Sequence, residues 1–203
     1  MALHIACSAR YLRTASRTFD KVTSEYWPTK YWLRLKVTAD GQMHRNCLGR
    51  LTGLFTRDGR SVSGFDPLIM LWVSEPRSTK SDTDTLAQAH YRVDIPAGGS
   101  ELAGLVHIKL RSEGELDEAK QQEWNEFPEV QLNRSRNESN FRSKKVIIPY
   151  GEYFVSANVS DANGPSVKRT FFFAAFPEQA QCHIRPARFY ERWRIVYRSV
   201  VPW

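Results

Sequence analysis

The chain of 203 residues has only three cysteines, Cys7, Cys47 and Cys182, an odd number at wide separations. They cannot make a paired framework, which excludes a disulfide scaffold and points to a reducing, cytoplasmic setting. Long apolar runs are lacking too. The longest, Phe171 to Phe176, falls far short of the roughly 20 residues of a spanning helix, so no membrane span is expected. With 11 Gly and 10 Pro the composition is also not that of a collagen or a low-complexity chain.

Catalytic signatures are equally sparse. Ser61, Ser63 and Gly64 do not build the Gly-x-Ser-x-Gly elbow that exposes a nucleophilic serine. The loop Pro96-Ala-Gly-Gly-Ser100 has no lysine to reach a phosphate and reads as a turn between strands. A nucleophilic cysteine needs a base within hydrogen-bond reach and a third group to orient it, and no local signature places such a set here. His44-x-x-Cys47 and Cys182-His183 carry ligand types that suit zinc, yet their spacing is that of no known finger. Cys47 lies in an apolar strand, where a free thiol behaves as a small hydrophobe. Cys182 and His183 would point to opposite faces of an extended segment. The sequence therefore leads us to expect no enzyme, no metal and no cofactor.

What is present is enough to build a core: 41 % of residues are hydrophobic and 12 % aromatic, including 11 Phe, 8 Tyr and 6 Trp. Such a chain buries rings rather than staying solvated. The net charge of +7 is unevenly spread. Basic residues dominate 1–36 (Arg10, Arg13, Arg17, Lys21, Lys30, Arg34, Lys36), 134–145 (Arg134, Arg136, Arg142, Lys144, Lys145) and 183–203 (Arg185, Arg188, Arg192, Arg194, Arg198). One acidic block, 113–126, opposes them. A field of this kind attracts polyanions without naming one.

From Tyr31 onward, apolar residues alternate with polar ones between Gly, Pro, Asn and Asp turns, the pattern of short antiparallel strands. Strands are expected at 32–37, 46–56, 68–72, 90–95, 105–110, 145–148, 153–159 and 168–176, with Asp40-Gly41 turning the chain after the first. In the acidic block Leu116, Ala119, Trp124 and Phe127 share a helical arc, which suggests a short inserted helix. Leu12, Ala15, Phe19 and Val22 suggest a basic leading helix. At the C-terminus Phe189, Trp193, Val196 and Val200 share a helical face, while Trp193, Ile195, Tyr197 and Val201 alternate as in a strand. Ring and β-branched enrichment favours a helical turn near 187–192 followed by a strand.

Two stretches carry a resemblance. Tyr31 to Leu51, with its Asn46-Cys-Leu-Gly-Arg-Leu51 segment and the later Leu71-Trp72, resembles the opening hairpin of uncharacterised prokaryotic immunoglobulin-like modules. Pro149-Tyr-Gly-Glu-Tyr-Phe-Val155 is similar to a step before the penultimate strands of bacterial sandwich domains, including the cell-adhesion-related type. The resemblance implies an immunoglobulin-like antiparallel β-sandwich with an interaction role, and supplies no catalytic residues.

The expectation is thus a mainly β protein: a basic N-terminal segment 1–28, a β-sandwich domain 29–180 with a short inserted helix, and an arginine and aromatic segment 181–203 packed on it. It would serve as a non-catalytic interaction module with a protein partner or a second copy. Nucleic acid is the alternative, because Arg188, Arg192, Trp193, Arg194 and Arg198 interleave cations with rings able to stack on bases. Against this stands an ordinary amphipathic edge, its rings in the core and its arginines in solvent.

Overall fold

The computed structural model describes residues 3–7, 14–16, 30–72, 92–110, 129–132, 135–136, 143–144, 146–162, 164 and 166–200. In chain order they form β1 (Leu3–Ala6), β2 (Thr14–Ser16), β3 (Lys30–Ala39), β4 (His44–Thr56), β5 (Leu68–Ile69), β6 (Arg92–Ile95) and β7 (Ser100–Lys109). Then follow β8 (Val130–Leu132), β9 (Ser135–Arg136), β10 (Ser143–Lys144), β11 (Ile147–Ile148), β12 (Gly151–Ser160), β13 (Val167–Ala175) and β14 (His183–Pro186). A helix, α1 (Phe189–Val200), comes last, after a short 3₁₀ turn at Gln179–Gln181.

The expected class holds: this is a mainly β protein with two antiparallel sheets and a short helix. One sheet runs β1-β3-β7-β8-β11, with β2 also on β3; the other runs β14-β13-β12-β4-β5, with β6 also on β4. β9 and β10 pair separately. Alternation explains the facing surfaces. Along β3, Tyr31, Leu33, Leu35, Val37 and Ala39 are all buried, and along β12 Tyr153, Val155, Ala157 and Val159 answer them from the other sheet.

In β4, Leu51 and Leu54 both reach this core although three residues apart. A register shift opposite Ser156 and Ala157 makes Thr52 the extra residue, so the strand gains one position and returns Leu54 to the inward side.

The structure differs from the sequence reading at three places. The strands on either side of Asp40-Gly41 do not form a hairpin with each other. β3 pairs with β1, β2 and β7, whereas β4 pairs with β12, β5 and β6. The turn, with Gly41 at φ +66, carries the chain from one sheet to the other because both strands have an inward row to bury. Near the N-terminus, 14–16 is strand rather than part of a leading helix, and Leu3-His-Ile5 alternates buried and exposed on the edge of β3. The remaining residues of that expected helix, and the expected acidic helix at 113–126, lie outside the described residues.

The third correction is the C-terminus, a continuous twelve-residue helix with no following strand among the described residues. It covers the outer side of the second sheet, where Phe154, Phe172, Ala174, Ala187 and Ile195 form a second, smaller core with Phe55 and Phe176 against it. β12 and β13 are consequently buried on both faces over part of their length.

Candidate interaction surface

α1 is fixed before its first turn. β14 pairs with β13, setting Arg185 opposite Phe172, and the guanidinium carbon lies 4.3 Å from the Phe172 ring centre. From there Arg185 forks onto Glu191, donating to Oε1 at 2.6 Å and Oε2 at 2.7 Å. The same Oε2 accepts the Arg188 backbone N–H at 2.6 Å, so Glu191 caps the start of the helix it belongs to. Only 6 % of Glu191 is exposed. Its carboxyl is held below the ordinary value by the Arg185 hydrogen bonds foremost, against the opposing effect of burial.

Four residues on, Ile195 enters the small core, so the inward line of α1 is Glu191 and Ile195. The helix also rests on the turn at 57–60. A Cβ on Gly59, which has φ +89, would stand 3.2 Å from both the Cγ and the main-chain oxygen of Arg194. Arg198 Nη1 stands 3.5 Å from Asp58 Oδ2. Asp58 is held below its usual range, first by the Thr56 hydroxyl and then by Arg60 and Arg198. Between helix and sheet opens a cleft of about 460 Å³ lined by Thr56, Arg57, Asp58, Gly151, Glu152, Tyr153 and Arg194. Arg57 and Glu152 pair within it.

With about 100° between successive residues, Trp193 falls opposite the Glu191–Ile195 line. The outward face is therefore a ridge of rings. Exposure is 68 % for Phe189, 55 % for Tyr190, 59 % for Trp193, 54 % for Val196 and 60 % for Tyr197. Phe189 and Trp193 meet edge to face at 6.0 Å, and Arg192 lies over the Phe189 ring, also at 6.0 Å. The arginines flank the ridge: Arg188 and Arg192 on one edge, Arg194 and Arg198 on the other. Of the five residues singled out at the C-terminus, Arg192, Trp193, Arg194 and Arg198 belong to α1, and Arg188 immediately precedes it.

The rings are not in the core, as an ordinary amphipathic edge would have them. The inward anchors, Glu191 and Ile195, went unrecognised in the sequence. The i, i+4 spacing of Glu191 and Ile195 was the available signal, and a carboxylate does not announce itself as a buried anchor.

The candidate ligand residues go separate ways. His44 is buried, and its Nδ1 lies 2.7 Å from Asp161 Oδ2, a partner 117 residues away that no local motif could reveal. Burial, then Asp161 and Asp94, pushes the Cys47 thiol up to about 11, so it stays protonated at neutral pH. Cys182 is tied into its own loop, donating to the Phe176 carbonyl at 3.1 Å and accepting its N–H at 3.4 Å. His183 Nδ1 faces the Gln181 carbonyl at 3.2 Å. Among the described residues no group of three or more His, Cys, Asp and Glu gathers as a metal site.

No family model matches the chain. No curated protein matches it either. Among solved structures it is similar to a family 123 glycoside hydrolase from Clostridium perfringens, with 9 % identity and a TM-score of 0.33 over 87 % of this chain. The chain spans 28 % of that structure's length. No helix among the described residues is long and apolar enough to cross a membrane.

Proposed function

We propose that the chain is a non-catalytic β-sandwich interaction module, immunoglobulin-like in kind, whose contact surface is the outward face of α1. One observation carries this reading: five large side chains, Phe189, Tyr190, Trp193, Val196 and Tyr197, stand more than half exposed on a helix clamped from behind by Arg185 and Glu191. Four rings of about 150–250 Å² each, exposed to this extent, put about 400–600 Å² of apolar surface into solvent. That equals the largest patch of a typical monomer, roughly 300–600 Å², which is often functional. Trp, Tyr and Arg are also the residues that dominate binding hot spots, which marks this face as the contact surface.

Hydroxyl-radical footprinting in a concentrated extract that retains membranes tests this reading without assuming a partner class. Phe189, Tyr190, Trp193 and Tyr197 are expected to be protected relative to purified protein in buffer. Equal reactivity in the two conditions would refute it.

A second reading, a nucleic-acid surface, draws on the four arginines beside the rings. It predicts salt-sensitive retention on single-stranded DNA or RNA that Arg192→Glu with Arg194→Glu abolishes. Absence of retention at low ionic strength removes it.

A further inference from the structure

Resting on that choice of contact surface, we infer that the outward ridge of α1 docks on an anionic phospholipid surface. The argument starts from what the ridge offers. Phe189, Tyr190, Trp193, Val196 and Tyr197 supply apolar burial, with a polar tip on the Trp and Tyr rings, and the charged groups beside them are arginines. The one acid of α1, Glu191, is turned inward and bound by Arg185. With Glu191 turned inward, α1 presents cations and no outward carboxylate, so the surface complementary to it is an anionic one. Rings flanked by guanidinium groups match an acyl boundary rimmed by phosphates.

Charge beneath the ridge points the same way. Around the inner edge of α1 the carboxylates are already matched: Asp58 by Arg60 and Arg198, Glu152 by Arg57, Glu191 by Arg185. Arg188, Arg192 and Arg194 add positive charge, so this end of the molecule is cationic. Shape separates lipid from nucleic acid. A strand of bases needs open ring faces and a groove for its backbone. Here Arg192 covers Phe189, Val196 sits among the rings, and the surface is a convex helix. A bilayer accepts a ridge of helical radius, because interfacial helices sink about 5–10 Å.

Two further points support the assignment. A second copy would set its own Arg188, Arg192 and Arg194 against those of the first, whereas an anionic leaflet answers each at about 1 kcal/mol, roughly fivefold in affinity. The free thiols Cys7, Cys47 and Cys182 suit the reducing side of a membrane, the side on which anionic lipids face the protein.

The test is sedimentation with vesicles of phosphatidylcholine and phosphatidylserine at 7:3, beside pure phosphatidylcholine, with dT20 anisotropy and sedimentation velocity run on the same protein. Binding to the anionic vesicles is expected to exceed that to neutral ones at least about tenfold. Trp193→Asp should lose it, and Arg192→Gln with Arg194→Gln should weaken it about tenfold or more while leaving the circular dichroism spectrum and unfolding midpoint unchanged. Equal binding to both vesicles, binding to dT20 alone, self-association alone, or no binding each overturns the lipid assignment. If the rings are nonetheless protected in extract, the interaction module stands and only its lipid partner falls. If they are not protected, the contact surface itself is wrong.

Discussion

The two cores are held by different physics. Between the sheets, Tyr31, Leu33, Leu35, Phe171, Phe173 and Val155 are essentially inaccessible and belong to one large apolar cluster. Beneath α1 the apolar contribution is small, Ile195 and Ala187 on Phe154 and Phe172, and the attachment depends on a carboxylate forked by an arginine. The first arrangement specifies a fold. The second fixes an orientation, and the orientation it fixes turns the rings of α1 outward. Had the helix been held by its most apolar face, Phe189 and Trp193 would lie against the sheet and Glu191 would be in water.

The largest effect is expected in the first core. Phe173→Ala removes a fully buried ring and should cost about 3–5 kcal/mol, read as a lower urea midpoint for the whole domain. Glu191→Ala should cost less, about 2 kcal/mol, because Arg185 retains 31 % exposure and water takes over part of its solvation. The loss should also be local. Amide exchange in α1 should accelerate while β12 and β13 keep their protection, and uniform acceleration would show that the two cores are not separable.

The same carboxylate gives a pH signature. Its folded value is depressed below the ordinary 4.5, chiefly by Arg185, so its contribution is fully present above the unfolded value and disappears as pH falls through the folded one. Wild type should therefore lose stability on acidification below about pH 4.5 more steeply than Glu191→Gln. Parallel acid limbs would mean that Glu191 does not hold the helix.

This contrast also explains what could be read in advance. Alternation in β3 and β12 reports one inward row directly, and Asp40-Gly41 reports a turn, because both are local consequences of sterics and burial. Which strand pairs with which is not local: the turn gives no sign that β3 and β4 enter opposite sheets. Burial of Phe154, on the other face of β12, depends on α1 arriving from 35 or more residues away. The helical face of Phe189, Trp193 and Val196 was visible, but patterning assumes that apolar sides turn inward. At α1 the two part company, and there the contact surface lies. The pairing of His44 with Asp161 has no sequence signal, since only the fold brings β4 beside the turn after β12.

A smaller effect is expected where α1 leans on the 57–60 turn. Gly59→Ala puts a Cβ at φ +89 and presses it against Arg194, which should cost about 1 kcal/mol and shift the helix rather than unfold the sandwich. Loss of protection limited to α1 is the outcome to look for; an unchanged helix would mean that this contact adds nothing to its placement.

Smallest of all should be the change on the ridge. Trp193→Asp removes the largest ring on α1, yet that ring is 59 % exposed and touches Phe189 only at its edge. Surface substitutions away from a buried network move stability by about 0.5 kcal/mol or less, so the unfolding midpoint should stay within that range of wild type. Ile195→Ala, two residues away on the inward line, should cost several times as much. A ring that costs nothing to delete is not maintained by folding. If Trp193→Asp instead destabilises the domain as Ile195→Ala does, the ridge is part of the second core and its claim as a contact surface is lost.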